Sequence, residues 1–370
     1  MAYASNNSVN REHSMHASIT IEANNQPVDE LTGTALPSKA GTNSQGCGRT
    51  ETAARNFLER NPLPNGKRQQ FAMLPFEYIS SLYQVLLDSG KVKFLDFRDL
   101  PFSADQDIRS EEGLAELYKL EFPSWRNGIL DGMPNLHLLI QHDSDDGALE
   151  TEFMCGFEAE VGIKSTTAVF CREIDSGGDL YGYGIDYALL KRLQDEKNMC
   201  FAYHCNAAEL SGYDKEKIAT VFDEDVELLR AQGLDIRFFS PHGGVVGPQG
   251  LNNNSFFYPS FSRHRLIWTH NRFSPTGLRY SDGSWIARIK TGDPRLDLRE
   301  FLTSKLALAA PHKNRHFILL HPQYYFAKDS RAAEEYFPAN PWLKEFWDLH
   351  AQGKAIAYWE PLRKSLSAVV

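Results

Sequence analysis

The chain predicts an α/β fold in which repeated strand–helix units surround a parallel sheet or barrel. Short apolar runs at 136–140, 166–170, 199–203, 236–239, 266–268, 317–320 and 355–359 recur between amphipathic stretches, the rhythm of βα units. Helix punctuation stands between them. Asp186 caps a helix carrying Leu189, Leu190 and Leu193, and Asp214 caps one carrying Ile218, Val221, Phe222, Leu228 and Leu229 that stops at Gly233. Most runs are also followed by His or Asp, and βα folds place their chemistry on loops at the carboxyl ends of the strands.

Taken in order, residues 1–55 are rich in Asn, Ser, Thr, Ala and Gly and have no helical or strand period. They bury too little surface to offset the entropy of ordering and are read as a disordered tail. Residues 56–132 are read as a helical extension packing on the main domain, because 74–87 spaces its apolar groups along one helical face and 114–120 repeats the pattern. Residues 133–370 form the βα domain.

Composition narrows the function classes. The hydrophobic fraction of 42% supports a core, and the net charge of −9 gives an average field that repels phosphate backbones, so nucleic acid is not an expected partner. No stretch approaches the roughly 20 apolar residues of a membrane helix, and the first residues lack the pattern of a secretory signal, so no membrane span and a cytoplasmic location are expected. Cys47, Cys155, Cys171, Cys200 and Cys205 are odd in number and show no CxxC spacing; they read as reduced, mostly buried thiols. Serine-hydrolase elbows, phosphate loops and dinucleotide fingerprints are all missing from the sequence.

The strand ends carry the chemistry. After the first run come His142, Asp143, Asp145 and Asp146; after the third, His204; after the fourth, His242; after the fifth, His270; after the sixth, His321. Carboxylate and imidazole suit a borderline divalent metal, and three such ligands with an open position make a hydrolytic zinc-type site. Singly, His204 or His270 also reads as a strand cap and Asp-Ser-Asp-Asp-Gly as a solvated turn; it is their recurrence at one end of successive strands that favours a site. His312 and His316 have helical ligand spacing, but Pro311 and Asn314 break that helix, so they read as a loop. His13, His16, His137 and His350 receive no role.

The pieces Leu139-Ile-Gln-His-Asp-Ser-Asp-Asp146, Glu160-Val-Gly-Ile-Lys-Ser-Thr166, Tyr203-His-Cys-Asn206, Ile236-Arg-Phe-Phe-Ser-Pro-His-Gly-Gly244, Tyr280-Ser-Asp-Gly-Ser-Trp285 and Ile318-Leu-Leu-His-Pro-Gln-Tyr324 resemble, in order and spacing, the polysaccharide deacetylase family (carbohydrate esterase family four) in its divergent His-Asp-x-Asp branch. The resemblance spans about 135–326 and implies a distorted (β/α) barrel with a single metal held by one Asp and two His. By position it implies Asp143 as base, Asp145 as metal ligand, His204 as the first histidine ligand and His321 as general acid. The family's second histidine falls at Ala208 here, so the remaining ligand must come from elsewhere. His242 is the candidate, since it follows the next strand and the adjacent glycines allow close backbone approach, with Asp146 or His270 as replacements.

The implied activity is a metal-dependent hydrolase, zinc first among the metals, that removes an N-acyl group, acetyl first, from an amino sugar or glycan precursor. The partner is then a small-molecule or oligosaccharide amino-sugar substrate; the sequence does not specify an oligomeric state. A non-sugar amide hydrolase on the same fold and an inactive carbohydrate-binding scaffold are the alternatives. Phe256, Phe257, Tyr258, Phe261, Tyr324, Tyr325 and Phe326 are read as core or lid packing ahead of sugar stacking. Arg237, Arg263, Arg265, Arg272 and Arg279 are read as solvated ahead of binding an anionic group. Asp282 reads as an exposed Asp-Gly turn, with orientation of His321 or substrate contact as the alternative.

Overall fold

Leu136–Asp143, the strand carrying the first motif, is buried along its whole length, and the rest of the fold is arranged around it. The computed structural model describes residues 46–64, 72–100, 110, 112–113, 136–145, 147–174, 180–243, 246–254, 256–269, 279–283, 297–307 and 315–368. In chain order, helices α1 (Gly46–Arg60) and α2 (Glu77–Asp88) precede β1 (Val92–Leu95), a 3-10 turn at Phe97–Asp99 and the buried strand, β2. Helix α3 (Ala148–Val161) leads to β3 (Thr166–Val169) and to an antiparallel ribbon, β4 (Arg172–Ile174) and β5 (Leu180–Gly182). Then follow α4 (Tyr187–Lys197), β6 (Cys200–Cys205), α5 (Ala207–Leu210), α6 (Lys215–Ala231), β7 (Phe238–Pro241), β8 (Ile267–Trp268), β9 (Arg279–Ser281), α7 (Leu298–Ala307) and β10 (Arg315–Leu320). The chain closes with α8 (Arg331–Glu334), α9 (Pro341–Ala351) and α10 (Glu360–Ala368).

Among the described residues the main sheet has eight strands, all parallel, in the order β8-β7-β6-β3-β2-β10-β9, with β1 attached to β2. Strand β2 changes partner along one side. β10 accompanies it from His137 to His142, whereas on the other side β1 takes Leu136 to Leu139 and β3 takes Gln141 to Asp143. The sheet curls into a half-barrel. Its concave side is filled by Leu139, Ala168, Ala202, Phe238, Phe317 and Leu319 together with Leu95, Phe97 and Leu100 from the chain leaving β1. Phe97 turns inward there, its ring 5.6 Å from Phe238 and 6.2 Å from Phe317, and its backbone N–H donates to Thr166 Oγ1 (3.0 Å). On the convex side α1 to α3 and the C-terminal helices pack on Leu138, Ile140, Ile318 and Leu320, while α4 and α6 pack on Phe201, Tyr203 and Phe239.

Local chemistry explains the helix ends. The Asp186 carboxylate accepts the Leu189 N–H (3.0 Å) and Asp214 that of Glu216 (3.0 Å), each satisfying a donor the first turn leaves free. Gly233 follows α6 at φ 87°, a left-handed geometry that costs glycine little.

Several expectations change. The stretch read as a tail to residue 55 is helical from Gly46, because α1 lays Phe57 edge-on against Phe153 and Phe157 at 5.2 and 5.6 Å; residues 1–45 lie outside the described residues. The extension over 56–132 is not purely helical, since Val92–Leu95 joins the sheet; its expected helix at 114–120 lies outside the described residues. The run 355–359 is a 3-10 helix rather than a strand. Its Tyr358 and Trp359 are buried against Tyr78 of α2, and an apolar run alone does not separate a buried helix from a strand. Cys155, Cys171, Cys200 and Cys205 are free and buried, and burial pushes the Cys155 and Cys205 thiols up to about 12. Among the described residues no helix is long and apolar enough to cross a membrane.

Candidate functional site

Side chains alternate along a strand, so one face of each strand runs from the sheet's apolar interior to its polar rim. Leu139 is followed on that face by Gln141 and Asp143, Ala202 by His204, Phe238 by Ser240, and Leu319 by His321. His142 points to the other face, where its Nε2 lies 2.7 Å from Glu158 Oε1 behind the sheet. It is therefore not part of the rim, despite standing beside Asp143 in sequence.

Three groups meet at the rim. His204 Nε2 lies 3.1 Å from Asp145 Oδ1, and His242 Nε2 lies 3.6 Å from the same oxygen. One ligand atom from each of Asp145, His204 and His242 falls within 4.8 Å of the other two, so the group can hold a metal ion. Ligands at about 2.1 Å from one ion stand roughly 3–4 Å apart, which these distances suit. The histidines also present the right nitrogen. Nδ1 of His204 donates to the Ser240 carbonyl (3.0 Å), and Nδ1 of His242 lies 3.0 Å from Glu209 Oε2, leaving both Nε2 atoms turned to Asp145. Phe170 stacks on His204 with centroids 4.8 Å apart and meets His242 edge-on at 5.1 Å, fixing both rings from one side.

Asp145 holds its position at φ 30°, in the left-handed region that Asp tolerates better than most residues and that tends to mark functional sites. Gln323 Nε2 donates to its Oδ2 at 3.3 Å, and His321 Nε2 lies 3.6 Å from that oxygen. Burial raises the Asp145 pKa, but the surrounding His321, His204 and His242 outweigh it and hold the carboxyl far below the usual range. Conversely, burial lowers His242, yet Glu209 and Asp145 push it up to about 9.

Two further residues flank this group. Asp143, 6% exposed, keeps Oδ2 3.9 Å from His204 Nε2 while its Oδ1 accepts from Gln141 Nε2 at 2.5 Å. The Gln141 amide also donates to Ser240 Oγ (3.1 Å). His321, just past β10, sets Nδ1 2.5 Å from Asp282 Oδ1. Burial lowers its pKa, and Asp282 followed by Asp145 raises it to about 10. Asp282 is not an exposed turn: it is fully buried, and Oδ2 accepts both the His321 N–H (2.7 Å) and the Tyr325 hydroxyl (2.8 Å). Gly283 beside it is required by space, since a Cβ there would stand 2.9 Å from His321 Cε1.

The structure thus brings together Asp143, Asp145, His204, His242 and His321, while Asp146, His270 and Arg272 lie outside the described residues. Arg237 pairs with Asp235 and Arg263 with Asp223. Phe257, Tyr258 and Phe261 pack around Trp268 in the core, whereas Tyr324 stands against the site, 5.3 Å from His321, and Tyr325 reaches Asp282 through its hydroxyl. Sequence reasoning missed Gln141, Phe170, Glu209 and Gln323. Strand alternation pointed to Gln141; no local pattern pointed to Glu209.

The fold and the site define the class: an α/β half-barrel with an Asp-His-His group at the carboxyl ends of its strands, able to hold a metal ion. No protein-family model matches the chain, and no curated protein matches it.

Proposed function

We propose that the protein is a metal-dependent hydrolase that removes an N-acyl group from an amino sugar or glycan precursor inside the cell, on a half-barrel of the polysaccharide deacetylase type. The observation carrying this reading is the convergence of Asp145, His204 and His242, with a separate carboxylate and a separate imidazole at its margin. Amide hydrolysis needs a nucleophile made from water, a stabilised oxyanion and a proton for the departing nitrogen. A divalent cation, zinc by the chemistry of the donors, would be held by Asp145, His204 and His242 and would supply water of lowered pKa and a polarised acyl carbonyl.

The chain's own residues supply the proton transfers. Asp143, held at one oxygen by Gln141, takes the proton of the attacking water with the other. His321, kept protonated by Asp282, delivers a proton to the leaving nitrogen. Asp282 also fixes which way the ring points, because its second oxygen binds the His321 backbone. Tyr324 offers a ring face to the apolar side of a sugar.

Protein purified without chelator should contain a divalent ion and should release acetate from N-acetylated amino sugars or their oligomers but not from non-sugar amides, with activity lost on chelation and regained with zinc. Hydrolysis confined to non-sugar amides would overturn the substrate class. Metal-free protein that hydrolyses nothing would overturn the enzymatic reading.

A further inference from the structure

The second histidine of the metal group comes from a different strand than the first, and a histidine on a loop can rotate and offer either nitrogen. Two contacts restrain it here. The His242 N–H donates to the Cys205 carbonyl (2.8 Å), tying the end of β7 to the end of β6. Helix α5 begins directly after β6 and carries Glu209 back toward β7, where Oε2 lies 3.0 Å from His242 Nδ1. The short helix is itself anchored, since the Ala208 N–H donates to buried Asn253 Oδ1 (2.8 Å) and the Ala208 carbonyl accepts from the Tyr213 N–H (2.7 Å).

A carboxylate accepts here, so Nδ1 carries the hydrogen, and Nε2, 3.6 Å from Asp145 Oδ1, is the nitrogen left to face a metal. Glu209 meets the nitrogen of the ring turned away from Asp145, which places it behind His242 rather than among the ligands. We infer that Glu209 is the positioning residue that makes His242 a metal ligand, supporting from α5, just after β6, the histidine just past β7. This rests on the metal-centre reading above. Such outer partners orient the ring and raise its basicity, and their loss typically weakens metal affinity about 10- to 100-fold.

The test is zinc affinity, not turnover. The full-length chain is stripped with chelator, and zinc is titrated in competition with a chromophoric chelator for the parent, Glu209→Ala, Glu209→Gln, His242→Ala and the Glu209→Ala/His242→Ala double variant. Glu209→Ala should bind zinc about 10- to 100-fold more weakly, and Glu209→Gln, whose carbonyl still accepts the Nδ1 hydrogen, less so. The double variant should be no weaker than His242→Ala, because Glu209 acts through that ring. Melting temperatures of the stripped variants should match the parent's. Parental affinity in Glu209→Ala, or full additivity in the double variant, would overturn the inference alone; a parent that takes up no zinc would overturn it together with the metal centre.

Discussion

His321 and Asp282 are joined twice: one carboxylate oxygen of Asp282 meets the imidazole Nδ1 and the other takes the backbone N–H of the same histidine. The ring's direction and its charge are thus set by a single buried side chain, 39 positions away in sequence.

Asp282→Asn should therefore change the pH profile more than the fold of the rim. His321 works protonated, so activity is full below its pKa and falls as pH rises through it; in the parent that pKa stands at about 10. Removing the largest raising influence should move the alkaline limb of kcat/KM to lower pH. The same raised pKa stabilises the parent below the ordinary 6.5 and this contribution fades as pH climbs to about 10, so the difference in melting temperature between parent and variant should narrow over that range. An unmoved limb would remove Asp282 from the acid's support.

The two carboxylates of the first motif should fail differently. Asp145→Asn weakens a ligand and should lose metal, with partial recovery at high zinc. Asp143→Asn should retain the metal yet lose about two to four orders of magnitude in turnover, without rescue by zinc. Metal analysis beside turnover distinguishes them; the opposite pattern reverses the roles.

Gly283→Ala offers a steric probe. Its Cβ would crowd His321 Cε1 at 2.9 Å, so the ring has to move while the metal group stays intact. Turnover should fall about 100-fold, the scale of an ångström's misplacement, with zinc content and melting temperature near the parent's.

Behind the sheet, Glu158 is fully buried and accepts from Tyr83 (2.5 Å) and Ser165 (2.6 Å) while meeting His142 at 2.7 Å. Glu158→Ala strands all three and should cost about 3 kcal/mol or more in urea unfolding, whereas Glu158→Gln should cost less.

Of the eight strands described for the half-barrel, six (β2, β3, β6, β7, β8 and β10) were legible as local apolar runs, most of them with a polar residue just past the end, whereas β1 and β9 were not. Alternation then decides between neighbours: His142 and Asp143 look equivalent in a string of polar residues, but only odd-numbered positions of β2 share a face with Leu139. Other features are settled by distant packing. Val92–Leu95 is too short and too polar to announce a strand until Leu136–Leu139 is beside it. Trp359 takes a helical place only because Tyr78 and the α2 face await it. Glu209 acquires meaning from the end of β7, which its own neighbourhood does not encode.

The inward turn of Phe97 sets its ring against Phe238 and Phe317, in the apolar cluster that also holds Leu139 and Leu319, the residues preceding Gln141 and His321 on that face. Among the described residues the rim groups therefore stand on packed apolar side chains. On the proposed reading, a glycan would lie across that rim and present one acyl group to it. Turnover on long chains would then be paced by lifting off and resettling rather than by sliding, so products should carry isolated free amines instead of contiguous blocks.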